Sequence, residues 1–148
     1  DAVDGFLLDR GFQIFLTSYP EARRLLDYGA LDLQPFYAGA LVRHGGAFHR
    51  VADPLRHPLD GLQSLANPVG SPLDKARVGA YRSLLLLRSV DALLQAPETS
   101  IEARLEALGF GDAMVDRFFR PFLGGIFFDR RLGTSSRLLD FVLRSLAT

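Results

Sequence analysis

The chain has 148 residues, 48% of them hydrophobic, with 17 basic and 17 acidic residues and a formal net charge of zero. One domain's length with that apolar content supports a real core, while balanced charge without a basic stripe argues against nucleic acid as a partner. The absence of Cys excludes disulfide scaffolds, thiol nucleophiles and Cys-ligated metal or iron–sulfur sites within this chain.

The chain opens on Gly5-Phe6-Leu7-Leu8 and then Gly11-Phe12-Gln13-Ile14-Phe15-Leu16, which reads as strand, turn, strand. Apolar residues fall on both faces, so the first strand is expected to be buried, with neighbours and a covering layer. No upstream sequence supplies them, and a piece of a larger protein is expected. Pro20 and Glu21 then start a short helix that should end near Gly29. Tyr37 to Val42 and Phe48 to Val51 flank His44-Gly45-Gly46, the pattern of a hairpin with a glycine turn.

From Pro54 onward the pattern is helical. Ser71-Pro72-Leu73-Asp74 combines an N-cap, a proline in the first turn and an acid three residues after the cap. That helix is expected to reach about Ser89. Thr99-Ser100-Ile101-Glu102 reads as a capping box, with Gly109 ending the helix that follows. Asp112 is expected to cap a helix running towards Pro121, and Ser135 or Ser136 the last one, whose apolar face is Leu139, Val142, Leu143 and Leu146. The fold class expected is α+β, a short antiparallel β section followed by a bundle of about five helices. The helical pattern is still running at Thr148, so both ends read as cut.

Motifs that carry chemistry are scarce. There is no Gly-x-Gly-x-x-Gly, no Walker-type loop, no Gly-x-Ser-x-Gly and no Ser-x-x-Lys. His44, His49 and His57 lie in the hairpin and its exit and read as exposed loop residues, so no metal is expected. The carboxylates form no evident acid/base couple. Of the 17 basic residues only Lys75 is Lys, which reflects either a preference for bidentate anion contacts or genomic composition. The longest apolar run, Leu84 to Leu87, is far short of the ~20 residues of a membrane span.

Two segments stand out. Asp4 to Gln13 sets a charged pair and a glycine between two apolar strand halves, either a tight backbone path or an ordinary hairpin turn. Arg117-Phe118-Phe119-Arg120-Pro121-Phe122-Leu123-Gly124-Gly125-Ile126-Phe127-Phe128-Asp129 places five Phe around a proline expected to break or kink the helix and a glycine pair. This is either the aromatic wall of a ligand cavity or an aromatic core at a helix junction.

These two segments, with Arg50-Val51-Ala52-Asp53-Pro54-Leu55 between them, resemble FAD-dependent oxidoreductases of the flavin amine oxidase and phytoene desaturase superfamily, and bacterial members above all. The resemblance runs over essentially the whole chain. It implies that residues 1–35 abut a FAD-binding domain and that residues 36–148 are a substrate-binding domain of small sheet then helices. By the same resemblance Gly11, Phe12 and Gln13 would lie near the flavin ring. Phe118, Phe119, Phe122, Gly124, Gly125 and Phe127 would wall the pocket of a hydrophobic small-molecule substrate. In such enzymes the flavin carries the redox chemistry, so no catalytic side chain need lie in this stretch. Lys75 is not matched to the lysine that some amine oxidases place near the flavin.

The phosphate-binding glycine motif, the ribose-binding acid and the flavin-closing segment are absent. The isolated chain is therefore expected to be inactive and to bind FAD weakly or not at all. The expected location is the cytoplasm, with membrane association left open. The competing reading is a non-catalytic module that holds an apolar ligand in a Phe-lined helical pocket.

Overall fold

The computed structural model describes residues 1–8 and 14–148. It is an α+β chain: two antiparallel hairpins and a short helix, then a helical body. The expected flavin-proximal residues Gly11, Phe12 and Gln13 lie outside the described residues.

The opening strand departs from the sequence reading. Strand β2 (Phe6–Leu7) does have an upstream partner, β1 (Ala2–Val3), across a turn in which Asp4 and Gly5 both take positive φ. It is not buried: Phe6 is 71% exposed and Leu7 85%, because among the described residues neither a third strand nor a covering layer packs on this short ribbon. Ile14 to Leu16 do not form the second strand expected there.

Helix α1 (Pro20–Leu25) starts on Pro20 and ends short of Gly29, since Leu26 is already extended. It is held to the far end of the chain. Tyr19 stacks on Phe141 at 5.6 Å, and the Ser18 hydroxyl donates to the Ser145 carbonyl at 2.7 Å.

The second hairpin forms as the glycines require. β3 (Gly39–His44) pairs with β4 (Ala47–Ala52) in the register His44↔Ala47 to Gly39↔Ala52. Gly45 and Gly46 take φ of +60° and +80°, the two-residue turn whose twist matches that of the strands. The outer edge of β4 is covered by α2 (Pro58–Leu65): Ser64 Oγ accepts from Ala52 N at 3.1 Å, and Asn67 Nδ2 donates to the Arg50 carbonyl at 2.7 Å. Gly61 permits that approach, because a Cβ there would stand 2.6 Å from Pro54 Cα.

Helix α3 (Pro72–Leu86) carries the full capping box between Ser71 and Asp74. It stops before Ser89, which instead caps a separate short helix, α4 (Val90–Leu94), by accepting from Ala92 N. The cap of α5 (Ile101–Ala107) is Ser100 and not Thr99. The reason is a tertiary contact. Ile101 N bonds to the Thr134 carbonyl and Ser136 N to the Thr99 carbonyl, so the start of α5 is fixed against the start of α8 (Ser136–Ala147). Gly109 ends the α5 segment at φ +75°, as expected.

Pro121 does not break its helix. The backbone runs from α6 (Asp112–Met114) through a π-helical turn (Val115–Phe119) into α7 (Arg120–Phe127). Arg120 N pairs with the Val115 carbonyl five residues back, so the widened turn absorbs the missing donor of Pro121 while the helix continues. Phe128 ends it in the left-handed region, at φ +55°.

The core lies among the later helices. Leu93, Ile101, Leu105, Phe119, Leu123, Leu132 and Leu139 are essentially inaccessible, and each such side chain contributes about 1.5–3 kcal/mol by leaving water. Leu139 and Val142 of the expected α8 face are buried, while Leu146 at its end is 36% exposed. Among the described residues no helix is long and apolar enough to cross a membrane.

Candidate functional site

The π-helical turn decides which way the phenylalanines point. Phe119 faces the core, 1% exposed, with Phe110 edge-on at 4.9 Å. Phe118 and Phe122 stack on each other at 5.6 Å with an interplanar angle of 16° and are half-buried. They face β3. Ala40, Leu41, Val42 and Arg43 on one side, and Arg117, Phe118, Pro121 and Phe122 on the other, line a cavity of about 390 Å³. Arg117 is fixed at its rim by donating from Nη1 to the Pro68 carbonyl at 2.5 Å.

On the other side of Pro121 lies a second cavity, of about 280 Å³, lined by Arg120, Pro121, Gly124, Gly125 and Arg130. Gly124 lets the Arg130 stem lie across α7: a Cβ on Gly124 would meet Arg130 Cγ at 3.3 Å. Arg120 is anchored by Asp116 Oδ1 at 3.0 Å and Glu102 Oε1 at 3.4 Å, and donates to the Arg130 carbonyl at 2.8 Å. The Asp116 bond, with Glu102 behind it, holds its pKa above the ordinary arginine value.

The six residues expected to form one pocket are therefore divided. Phe118 and Phe122 line the first cavity, Gly124 and Gly125 line the second, Phe119 belongs to the core, and Phe127 packs against the core outside both linings. Sequence reasoning missed the arginine rim. The one available signal was the near-exclusive use of Arg over Lys, which composition alone leaves ambiguous.

The remaining candidates are structural. Lys75 Nζ donates to the Leu65 and Asn67 carbonyls at 3.0 and 2.8 Å, at the end of α2, and burial lowers its pKa. His57 stacks on Tyr37 at 4.1 Å, and the His44 and His49 rings are 6.4 Å apart. The Tyr37 hydroxyl donates to Asp60, which Arg50 also meets at 3.2 Å. That Tyr37 bond, ahead of Arg50, draws the Asp60 carboxyl below its ordinary value. No group of three His, Cys, Asp or Glu that could hold a metal exists among the described residues.

One buried polar cluster had no sequence signal. Asp140, fully buried on α8, accepts from the Tyr81 hydroxyl of α3, and its Oδ2 lies 3.6 Å from Arg104 Nη1 of α5. Burial, then the bond to Asp140, pushes the Tyr81 pKa far up.

Among the described residues, neither cavity lining contains a nucleophile, a carboxylate or a histidine. The described lining can seat and orient an apolar body and offers no general base. The described residues also lack a parallel sheet with a glycine-rich strand–helix turn, so they do not by themselves build a dinucleotide site.

The family of flavin containing amine oxidoreductases matches residues 1–146. The chain belongs to that family, a family of flavin oxidoreductases. No curated protein and no solved structure matches it significantly.

Proposed function

We propose that this chain is the substrate-binding part of an FAD-dependent oxidoreductase acting on a hydrophobic small molecule. The observation that carries this reading is the cavity between β3 and the stacked pair Phe118–Phe122, in a chain of a flavin-containing family. FAD would supply the redox chemistry, accepting a hydride equivalent from a substrate C–H bond. The protein's part is to seat the apolar substrate on the Phe118 and Phe122 rings and to exclude water from it.

In this reading residues 1–35 abut a FAD-binding domain, and residues 36–148 form the substrate domain. Gly11, Phe12 and Gln13 lie towards the flavin. The exposed Phe6 and Leu7 support that assignment, because large apolar side chains left bare on a short ribbon favour a covering partner. Within the superfamily the apolar groove favours a phytoene desaturase-like enzyme over a polar-substrate one. In this reading the 148 residues alone are inactive and hold FAD weakly or not at all.

The coding sequence flanking Asp1 tests this directly. The proposal expects an encoded strand, Gly-x-Gly-x-x-Gly turn and helix upstream. A start codon adjoining Asp1 with no such motif anywhere in the gene would contradict it.

A further inference from the structure

Resting on the reading of this groove as the substrate site, we propose that its substrate is an apolar molecule bearing a carboxylate, and not a cationic amine. Among the described residues, the two cavities that share Pro121 are lined by Arg43, Arg117, Arg120 and Arg130, and by no acidic side chain. The acids nearby are already committed. Asp116 and Glu102 pair with Arg120. Asp129 turns into its own loop, accepting from Arg131 N and Thr134 N at 2.9 Å each and from the Thr134 hydroxyl at 3.1 Å.

Among the described residues two guanidinium groups of the linings remain without a hydrogen-bond or ion-pair partner. Arg43 and Arg130 are exposed, and neither has a side-chain partner among the described residues. Arg43 stands on the β3 wall of the first cavity, and Arg130 crosses Gly124 at the second. The stacked rings of Phe118 and Phe122 supply the surface for an apolar body beside them.

The charge of the rim selects between two kinds of ligand. A guanidinium meets a carboxylate with two parallel N–H···O bonds. An ammonium in the same place finds no counter-charge and is repelled by the rim, although an aromatic face by itself attracts cations. Like charge across a site discriminates against the wrong ligand, and at these exposed arginines salt screens that discrimination. The family description names amines, and the lining of this groove is built for the opposite charge.

The test uses the whole protein loaded with its flavin and three probes of equal chain length: decanoate, decanol and decylamine, titrated by calorimetry at pH 7 and low salt. Decanoate should bind about tenfold more tightly than decylamine, and high salt should shrink that ratio. Arg43→Gln and Arg130→Gln should each weaken decanoate several-fold and leave decanol unchanged. Decylamine binding as well as decanoate, or a ratio insensitive to salt, overturns the inference while decanol binding still upholds the groove. Failure of all three probes, or decanol binding that Phe122→Ala does not weaken, overturns the substrate-site reading and this inference with it. The salt titration needs no variant, so a misfolded Arg43→Gln does not shield the proposal.

Discussion

The Tyr81 hydroxyl donates to the Asp140 carboxylate inside the core, tying α3 to α8. Arg104 approaches the other oxygen at 3.6 Å, so three helices meet on one buried carboxylate. Removing the tyrosine oxygen leaves that charge without its hydrogen bond, and a buried acceptor so orphaned costs roughly 1–3 kcal/mol. Tyr81→Phe should therefore lower the unfolding free energy by that amount, seen as a lower urea midpoint with an unchanged slope.

The same bond has an alkaline signature. The Tyr81 pKa is raised in the folded protein from its ordinary value of 10.0, by burial first and Asp140 second. The folded state therefore keeps a proton that the unfolded state releases, and stability falls as pH rises beyond about 10. Tyr81→Phe should flatten this alkaline loss in a pH series of thermal melts.

Asp74 predicts the opposite pH behaviour. It is 3% exposed and accepts from Ser71 N at 2.9 Å, Ser71 Oγ at 2.6 Å and Gly111 N at 2.9 Å. Burial pushes its carboxyl up, but those bonds and Arg77 outweigh burial and hold it below the ordinary value. Its stabilisation is present above the ordinary carboxylate range and lost as pH falls through the lowered value. Asp74→Asn should cost about 1–3 kcal/mol at neutral pH and much less near pH 3, measured by urea unfolding at both.

Phe119 and Phe122 differ by one turn and should fail differently. Phe119 is core, and truncation to Ala should cost about 3–5 kcal/mol of stability. Phe122 lines the cavity. Its Ala variant should stay folded and lose most of its kcat/KM for apolar substrates, as steady-state kinetics on the whole enzyme would show.

Pro121→Ala restores a backbone donor where the π-helical turn now compensates for its absence. A regular α-helix through this point would rotate Phe118 relative to Phe122. The variant should keep its stability within about 1 kcal/mol while weakening apolar ligands, read by calorimetry beside a thermal melt.

Much of the helical body was legible in the sequence because its signals are local. Ser71 with Asp74, Gly109, and the Gly45-Gly46 turn each fix backbone torsions within a few residues. Misreadings arose where a distant segment decided. Ser100 displaced Thr99 as a cap because Ser136 and Thr134 hold Thr99 and Ile101 from the other end of the chain. A break or a kink is what Pro121 predicts locally, and the i→i−5 pairing that lets the helix continue leaves no mark in composition. The site was half legible: the Phe cluster was visible, but which rings face the core depends on one extra residue in a turn. Arg43 and Arg117 are 74 positions apart in sequence, and only the packing of β3 on that turn brings them to one rim.

Whether this groove serves a flavin is read most directly from the visible absorption spectrum of the purified whole protein. The bands of bound oxidised flavin are expected, bleached on anaerobic addition of an apolar carboxylate substrate. A colourless whole protein that cannot be reconstituted with FAD would contradict that role.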